Sequence, residues 1–318
     1  MNHFESIIGK APEFESILRN AQLVAVTDVT VLIKGATGTG KEVLATAIQK
    51  SSSRANKPFI TLNCAALPEG IIESELFGHR KGSFTGADAN KTGIFQAAHE
   101  GTLFLDEVDS LPLSIQAKLL RFLESGECLA VGEIKPYHVN VRVIAATNSD
   151  LDQRIADRKF RQDLYFRLNV VPLELPSLKQ RSNDIESLID HFVAQFAQDH
   201  NVAALKFSKL AIKKLRAYSW PGNIRELRNI CERLSILLPG KVIEPENLPM
   251  EITTGPKSHN TNIGTLPELG INLDKLEADL INQALNRTNG NRSKSARLLG
   301  LSRDKLLYRI QKHGLGSH

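Results

Sequence analysis

The segment Gly35-Ala36-Thr37-Gly38-Thr39-Gly40-Lys41 lies between an apolar, β-branched run, Val29 to Lys34, and a helical pattern, Glu42 to Ser51. Its three glycines permit a tight turn in which successive backbone N–H groups and the start of the following helix surround phosphate oxygens. Lys41 would reach the β and γ phosphates of a nucleotide. Partners for that first strand follow: Phe59 to Leu62, Leu103 to Leu105 and Val141 to Ala146 read as buried strands, with a helix around Ile115 to Leu123. The alternation predicts the α/β class, with a parallel sheet wrapped by helices.

After Val170-Val171-Pro172 the strands stop, and residues 184–238 read as helices only, with Ile185, Leu188, Ile189 and Phe192 at helical spacing. Residues 251–270 mix Thr, Gly, Pro, Ser and Asn without periodicity, a linker composition. The expected organisation is therefore an α/β unit (1–172), a helical lid (173–250), a linker (251–270) and a small all-α unit (271–318).

The 318 residues, 42% hydrophobic and 24% charged, suffice for two cores and a small module. No basic amino-terminal region precedes an apolar stretch, and no long apolar run occurs, so neither export nor a membrane span is expected and a cytoplasmic location follows. Cys64, Cys128 and Cys231 stand far apart, which fits a reduced compartment and small core side chains rather than disulfides or a zinc site. Charge is uneven. Residues 291–318 hold seven Lys or Arg against Asp304, so subtracting +6 from the chain's +5 leaves −1 for everything before them. Such a terminal block favours a polyanionic partner over a merely solvated face.

Leu103-Phe104-Leu105-Asp106-Glu107 is a buried strand ending in two acids. Downstream of a phosphate loop, Asp106 suits the shell of a Mg²⁺ ion and Glu107 the polarisation of an attacking water. Glu42 stands where the general phosphate-loop pattern has Ser or Thr for the metal, which shifts that task toward phosphates, waters and Asp106. Val141 to Ala146 ends in Thr147-Asn148, whose amide is placed to sense the γ-phosphate or the water. Between these pieces lies Gly82-Ser83-Phe84-Thr85-Gly86-Ala87. Glycines at both ends allow a sharp reversal that carries an aromatic and a hydroxyl outward, toward a partner that nucleotide hydrolysis alone does not need.

These residues resemble the AAA+ family of P-loop ATPases and, within it, the bacterial enhancer-binding proteins that activate sigma-54 RNA polymerase. The resemblance spans roughly residues 5–250 and again the tail. Its most specific piece, Glu75 to Ala87, looks like the family's sigma-factor contact loop, with Ser83 where most members have Ala. In this family Glu42 is usual. Asn63 matches the residue that holds the catalytic glutamate and links nucleotide state to the loop, although an Asn here equally fits a strand-end cap. Arg161 and Arg167, in Phe160 to Val170, resemble arginines that enter the neighbouring subunit's site; by themselves they read as surface residues. Trp220-Pro221-Gly222-Asn223-Ile224-Arg225-Glu226-Leu227 is similar to the lid motif, from which Arg225 would reach the phosphates. The resemblance thus implies ATP with Mg²⁺, and a homo-oligomeric ring, usually a hexamer, with a dimer as the inactive form.

In the tail, Leu273, Leu276, Leu280, Ile281 and Ala284 mark one face of a helix, and Asn291 to Leu299 and Ser302 to Lys312 read as a helix-turn-helix. Ser302 is a good N-cap; Arg303, Lys305 and Arg309 fall on the outer side of the last helix, with Leu306, Leu307 and Ile310 inward. Arg303 and Lys305 are candidates for base edges, and Arg292, Lys294 and Lys312 for phosphates. The tail resembles a Fis-type DNA-binding domain; a basic dimerisation or docking module is the alternative. The expected whole is an ATP-hydrolysing activator that binds enhancer DNA and acts on sigma-54 RNA polymerase holoenzyme. The rivals are a DNA-remodelling motor and a non-hydrolysing DNA-binding regulator. Ile7-Ile8-Gly9 resembles the opening of the ATPase unit, so no receiver or ligand-sensing domain is expected before it. Control would then come from a separate regulatory protein, from expression level, or from a segment outside the sequence.

Overall fold

The computed structural model describes residues 3–253, 272–288 and 290–314. They form two compact units, Met1–Pro256 and Lys257–His318. Most of the expected linker, 254–270, lies outside the described residues, and its first part belongs to a short helix, Met250–Thr253.

The first unit is built on five parallel strands, β1 (Val31–Lys34), β2 (Phe59–Asn63), β3 (Thr102–Asp106), β4 (Arg142–Thr147) and β5 (Val171–Glu174), in the order β2-β3-β4-β1-β5. Side chains alternate between two layers. Leu32, Leu103, Leu105, Val143 and Ala145 pack with Phe77, Phe95 and Leu119 on one face. Val31, Ile33, Phe104, Ile144 and Ala146 pack with Phe14, Leu44 and Ile48 on the other. Both faces are covered by helices, including Pro12–Ala25 and Lys41–Lys50 on the second, as parallel sheets require. Pro172 is tolerated in β5 because that strand is an edge.

The helical lid has its own core around Trp220, Leu227, Ile189 and Phe196. It is not helical throughout, as 184–238 was expected to be. Lys206–Phe207 pairs in parallel with Val242–Ile243, which pins the loop after helix Ile185–Asp199 to the end of the lid. The sheet also runs to Glu174, two residues beyond the expected break at Pro172. Cys64, Cys128 and Cys231 are free and buried, and burial pushes each thiol up to about 12.

At the amino-terminal end of the sheet two arginines tie the layers together. Arg142 donates to the carbonyls of Val24 and Ala25 at 2.8 and 2.9 Å, a cation at the end of helix Pro12–Ala25. Arg54 forks onto Asp28 at 3.0 and 2.9 Å and also donates to the carbonyls of Gly101 and Asn140. Both carbonyls also accept a backbone N–H, from Arg142 and Glu100, so Arg54→Ala removes hydrogen bonds worth roughly 1 kcal/mol each without orphaning an acceptor; a loss of about 2 kcal/mol is expected by urea denaturation. The same guanidinium holds the Asp28 carboxyl below its ordinary value. A depressed folded-state value gives stability that is present above the unfolded value and is lost as pH falls through the folded one. Asp28→Asn should therefore show a smaller drop in Tm than wild type between about pH 5 and about pH 3.

Candidate active site

Three adjacent strands, β3, β4 and β1, end side by side and deliver the expected chemistry to one edge, the carboxyl end where open α/β sheets bind ligands. Gly38 and Gly40 of the loop after β1 hold φ of +78° and +101°, the left-handed region open to glycine. Lys41 opens the next helix, buried, and its ammonium donates to the Gly35 carbonyl at 2.8 Å and the Ala36 carbonyl at 3.4 Å. Burial pushes the Lys41 pKa down. The charges of Asp106 and Glu107 push it back up, and nearby Arg225 adds to the fall. Two cations, Lys41 and Arg225, and three carboxylates, Asp106, Glu107 and Asp109, thus lie close enough to act on one another. Glu42 is exposed in the first helical turn.

The lid grips this loop. Ile224 N–H donates to the Gly38 carbonyl at 2.9 Å, Asn223 Nδ2 to the Thr37 carbonyl at 3.0 Å, and buried Arg181 to the Thr39 carbonyl at 3.2 Å. Asn223 is buried at φ +50°, and its Oδ1 accepts from Leu178 N–H. Beside the loop Ile8, Phe14, Val43, Leu188, Phe192 and Arg181 line a mostly apolar cavity of about 160 Å³. The Arg181 guanidinium lies 4.1 Å from the centroid of the Phe14 ring, and burial lowers its pKa to about 10. Of these, Ile8 is read from the sequence as part of the ATPase opening and Leu188 and Phe192 as a helical stripe, none of them as a cavity wall; Arg181 has no motif that announces it.

On β3, Asp106 accepts from the Glu107 backbone N–H at 3.0 Å, and Glu107 adopts φ +54°, a strained left-handed conformation of the kind found at functional sites. At the end of β4, Asn148 Nδ2 donates to Thr37 Oγ1 at 3.0 Å, so the expected sensor touches the phosphate loop. Asn63 ends β2 opposite Asp106. Its side chain accepts from Ala65 N–H at 2.9 Å, the capping geometry. Arg161 and Arg167 are exposed on or next to helix Gln162–Leu168: Arg161 forks onto Asp163, and Arg167 donates to the Leu123 carbonyl.

The glycine-flanked loop is a closed, projecting turn. Gly82 and Gly86 have φ of +81° and +100°, and Gly82 N–H donates to the Ala87 carbonyl at 2.8 Å. Its stem is stapled on two sides, His79 to Lys91 and Arg80 to Val131. Phe84 is 43% exposed with its ring edge on His79, Thr85 is exposed, and Ser83 packs on Gly132.

Residues 7–174 match the Sigma-54 interaction domain, 179–264 the AAA+ ATPase lid domain and 272–313 the Fis family of bacterial regulatory proteins. The chain belongs to the sigma-54 interaction domain family. It is 42% identical to Regulatory protein AtoC of Escherichia coli (strain K12) over 313 residues, 97% of this chain and 68% of that protein. With Transcriptional regulatory protein ZraR of the same strain it shares 45% over 306 residues, 96% and 68% of the two chains. The crystal structure of NtrX from Brucella abortus in complex with ATP is similar, with a TM-score of 0.73 at 34% identity over 97% of this chain and 69% of that one. This is a family of sigma-54-dependent transcriptional activators with an AAA+ ATPase core and a DNA-binding helix-turn-helix.

In this sigma-54 interaction domain protein the second unit carries helices Leu273–Arg287, Arg292–Leu298 and Arg303–Lys312 around Ile281, Ala296, Leu306 and Ile310. Ser302 Oγ accepts from Lys305 N–H, so it caps the last helix. Arg292, Lys294, Arg303 and Lys305 are exposed. Arg309 instead pairs with Glu277, and Lys312 with Asp274 at 2.8 Å. Leu273, expected on the buried face, is 73% exposed.

A Cβ at Gly38 would lie 2.3 Å from the Gly222 carbonyl oxygen of the lid. Gly38→Ala should therefore push lid and loop apart, weakening binding of a fluorescent ATP analogue by at least about tenfold, roughly 1.4 kcal/mol, while far-UV circular dichroism stays unchanged.

Proposed function

We propose that this chain hydrolyses ATP within a ring of like subunits, usually six, and uses the resulting movement of Phe84 and Thr85 to remodel the closed promoter complex of sigma-54 RNA polymerase. The observation that carries the reading is the pairing of one strand edge, where β3, β4 and β1 bring Asp106, Glu107, Asn148 and the phosphate loop together, with a separate glycine-hinged turn that presents an aromatic and a hydroxyl to solvent.

The flat base of the nucleotide fits the apolar cavity beside Ile8 and Phe14. Lys41 and the N–H groups of residues 35–41 hold the β and γ phosphates, and Arg225 closes on them from the lid. Glu107 takes a proton from the attacking water, whose oxygen bonds to the γ-phosphorus as the bond to the β-phosphate oxygen breaks, releasing ADP and phosphate. The carboxylates at the end of β3 fit a hard cation, and Asp106 would hold Mg²⁺, which when bound neutralises phosphate charge. Asn148 reports phosphate occupancy through Thr37, and Asn63 links Glu107 to the loop. Arg161 and Arg167 have no hydrogen bond to this chain's own phosphate loop among the described residues, and in this reading they serve the neighbouring subunit's site, where such an arginine is worth about a thousandfold or more in rate.

Gly82, Ser83, Gly86 and Ala87 shape the sigma-factor contact that Phe84 and Thr85 make. The exposed cations Arg292, Lys294, Arg303 and Lys305, with Ser302 at the helix start, bind the enhancer. No helix among the described residues is long and apolar enough to cross a membrane.

In vitro transcription from a sigma-54 promoter tests the coupling. Glu107→Ala should lose about a hundredfold or more of phosphate release and all open-complex formation. Thr85→Ala should retain most hydrolysis yet form no open complex. Full transcription by Thr85→Ala would refute the loop's role, and strong stimulation of hydrolysis by DNA alone would favour a DNA-remodelling motor.

A further inference from the structure

The ladder between β3 and β4 ends at Leu105 and Ala145, one residue short of Asp106 and two short of Thr147. Beyond it no backbone pairing joins these two strand ends to each other, although Asp106 still pairs with Asn63 of β2 and Thr147 with Lys34 of β1. One side chain spans the gap. Asp109, 4% exposed, lies in the short turn Val108–Ser110 that Glu107 caps. Its Oδ1 accepts from Thr147 Oγ1 at 2.6 Å and its Oδ2 from Ser149 Oγ at 2.6 Å. Arg154, from helix Leu151–Ala156, pairs with Oδ2 at 3.1 Å and donates to the Asp109 carbonyl at 3.3 Å. Thr147 and Ser149 are the two neighbours of Asn148 in sequence, and Asn148 in turn reaches Thr37 of the phosphate loop.

We infer that Asp109 is a positioning residue that locks the Glu107 turn and the Asn148 segment into one rigid piece, so that phosphate occupancy sensed at Asn148 and the placement of the Glu107 carboxylate change together. A buried carboxylate is costly unless donors surround it, and here two hydroxyls and a guanidinium do. All come from the segment that bears the sensor. The same contacts hold Glu107 in its left-handed conformation, which relaxes unless its surroundings over-determine it. An apolar residue at position 109 would fill the space but leave Thr147, Ser149 and Arg154 unanchored. This inference rests on Glu107 acting as the base, and it adds a dependency that neither the strand-end acids nor the sensor motif predicts by itself.

The test uses the full chain with Asp109→Ala, and Asp109→Asn, which keeps the volume, should the first fail to fold. Steady-state hydrolysis is compared with binding of a fluorescent ATP analogue, thermal unfolding, and hydrogen exchange of peptides covering 105–111 and 145–151. Small misplacement of a catalytic group costs up to about a hundredfold. The expectation is a fall in kcat of about ten- to a hundredfold with nucleotide affinity retained, and faster exchange in both peptides with the rest of the core still protected. In a Glu107→Ala background, Asp109→Ala should lower the residual rate no further, because the group it positions is gone. Unchanged kcat and exchange in the folded variant would overturn the inference, as would a loss of rate that only tracks the loss of folded protein. If the wild type hydrolyses no ATP, the catalytic reading of Glu107 fails, while the exchange data still decide whether Asp109 locks the two segments.

Discussion

The phosphate loop is shared between two subdomains. The carbonyls of Thr37, Gly38 and Thr39 are all taken by donors from beyond the sheet: Asn223, Ile224 and Arg181. In a trans peptide the carbonyl of one residue and the N–H of the next point in opposite directions. Drawing those carbonyls toward the lid therefore turns the N–H groups of Gly38 and Gly40 the other way, while Thr39 N–H closes the loop onto the Ala36 carbonyl at 3.3 Å. The inner face of the loop is set by contacts on its back, and a change in the lid's position would be felt directly at the loop.

That coupling explains why backbone strain gathers where it does. Trp220 and Asn223 both have positive φ, at +52° and +50°, in the turn that delivers Ile224 and Asn223 to the loop. Strain of this kind costs on the order of 1–3 kcal/mol per residue and persists only when packing over-determines it. Trp220 supplies the packing: it is 1% exposed, and its indole N–H donates to the Leu215 carbonyl at 2.8 Å. Glu107 is the matching case on the sheet side, where buried Asp109 anchors the turn it caps. The site is thus framed by two strained turns, each fixed by one buried side chain.

How much of this the sequence made legible follows from the range of the interactions. Strands β1 to β4, the glycine loop, the strand-end acids and the cap at Ser302 depend on local pattern, and are legible to within two residues. The reading of residues 184–238 as helical missed Lys206–Phe207, because a two-residue strand exists only through its partner, Val242–Ile243. Leu273 fits a helical stripe, yet the core of the second unit begins at Ile281, eight residues later. Arg181 and Asp109 went unnoticed for a common reason. Each acts through contacts with chain segments far from it in sequence: Arg181 with Thr39 and Phe14, Asp109 with Thr147 and Ser149. A third acid two positions after Glu107 was the one local signal available for Asp109.

The tail shows how a charge count can overstate a binding footprint. Of its seven basic residues, Arg309 and Lys312 face acids on the first helix, Glu277 and Asp274, and His313 also meets Glu277 at 2.9 Å. Hydrogen bonds from His313 and Lys312 hold those two carboxyls below their ordinary values. Exposed pairs of this kind are screened by solvent and hold weakly, so a DNA phosphate can displace the acids at little cost. Even so, the small core among the described residues, centred on Ile281, Ala296, Leu306 and Ile310, is thin, and modest pairs then matter for the angle between first and last helix. On the DNA-binding reading, Arg309 and Lys312 act chiefly by orienting the last helix. The salt dependence of binding then falls mainly to the exposed cations Arg292, Lys294, Arg297, Arg303 and Lys305, because only phosphates neutralised by otherwise unpaired charge release counterions in full.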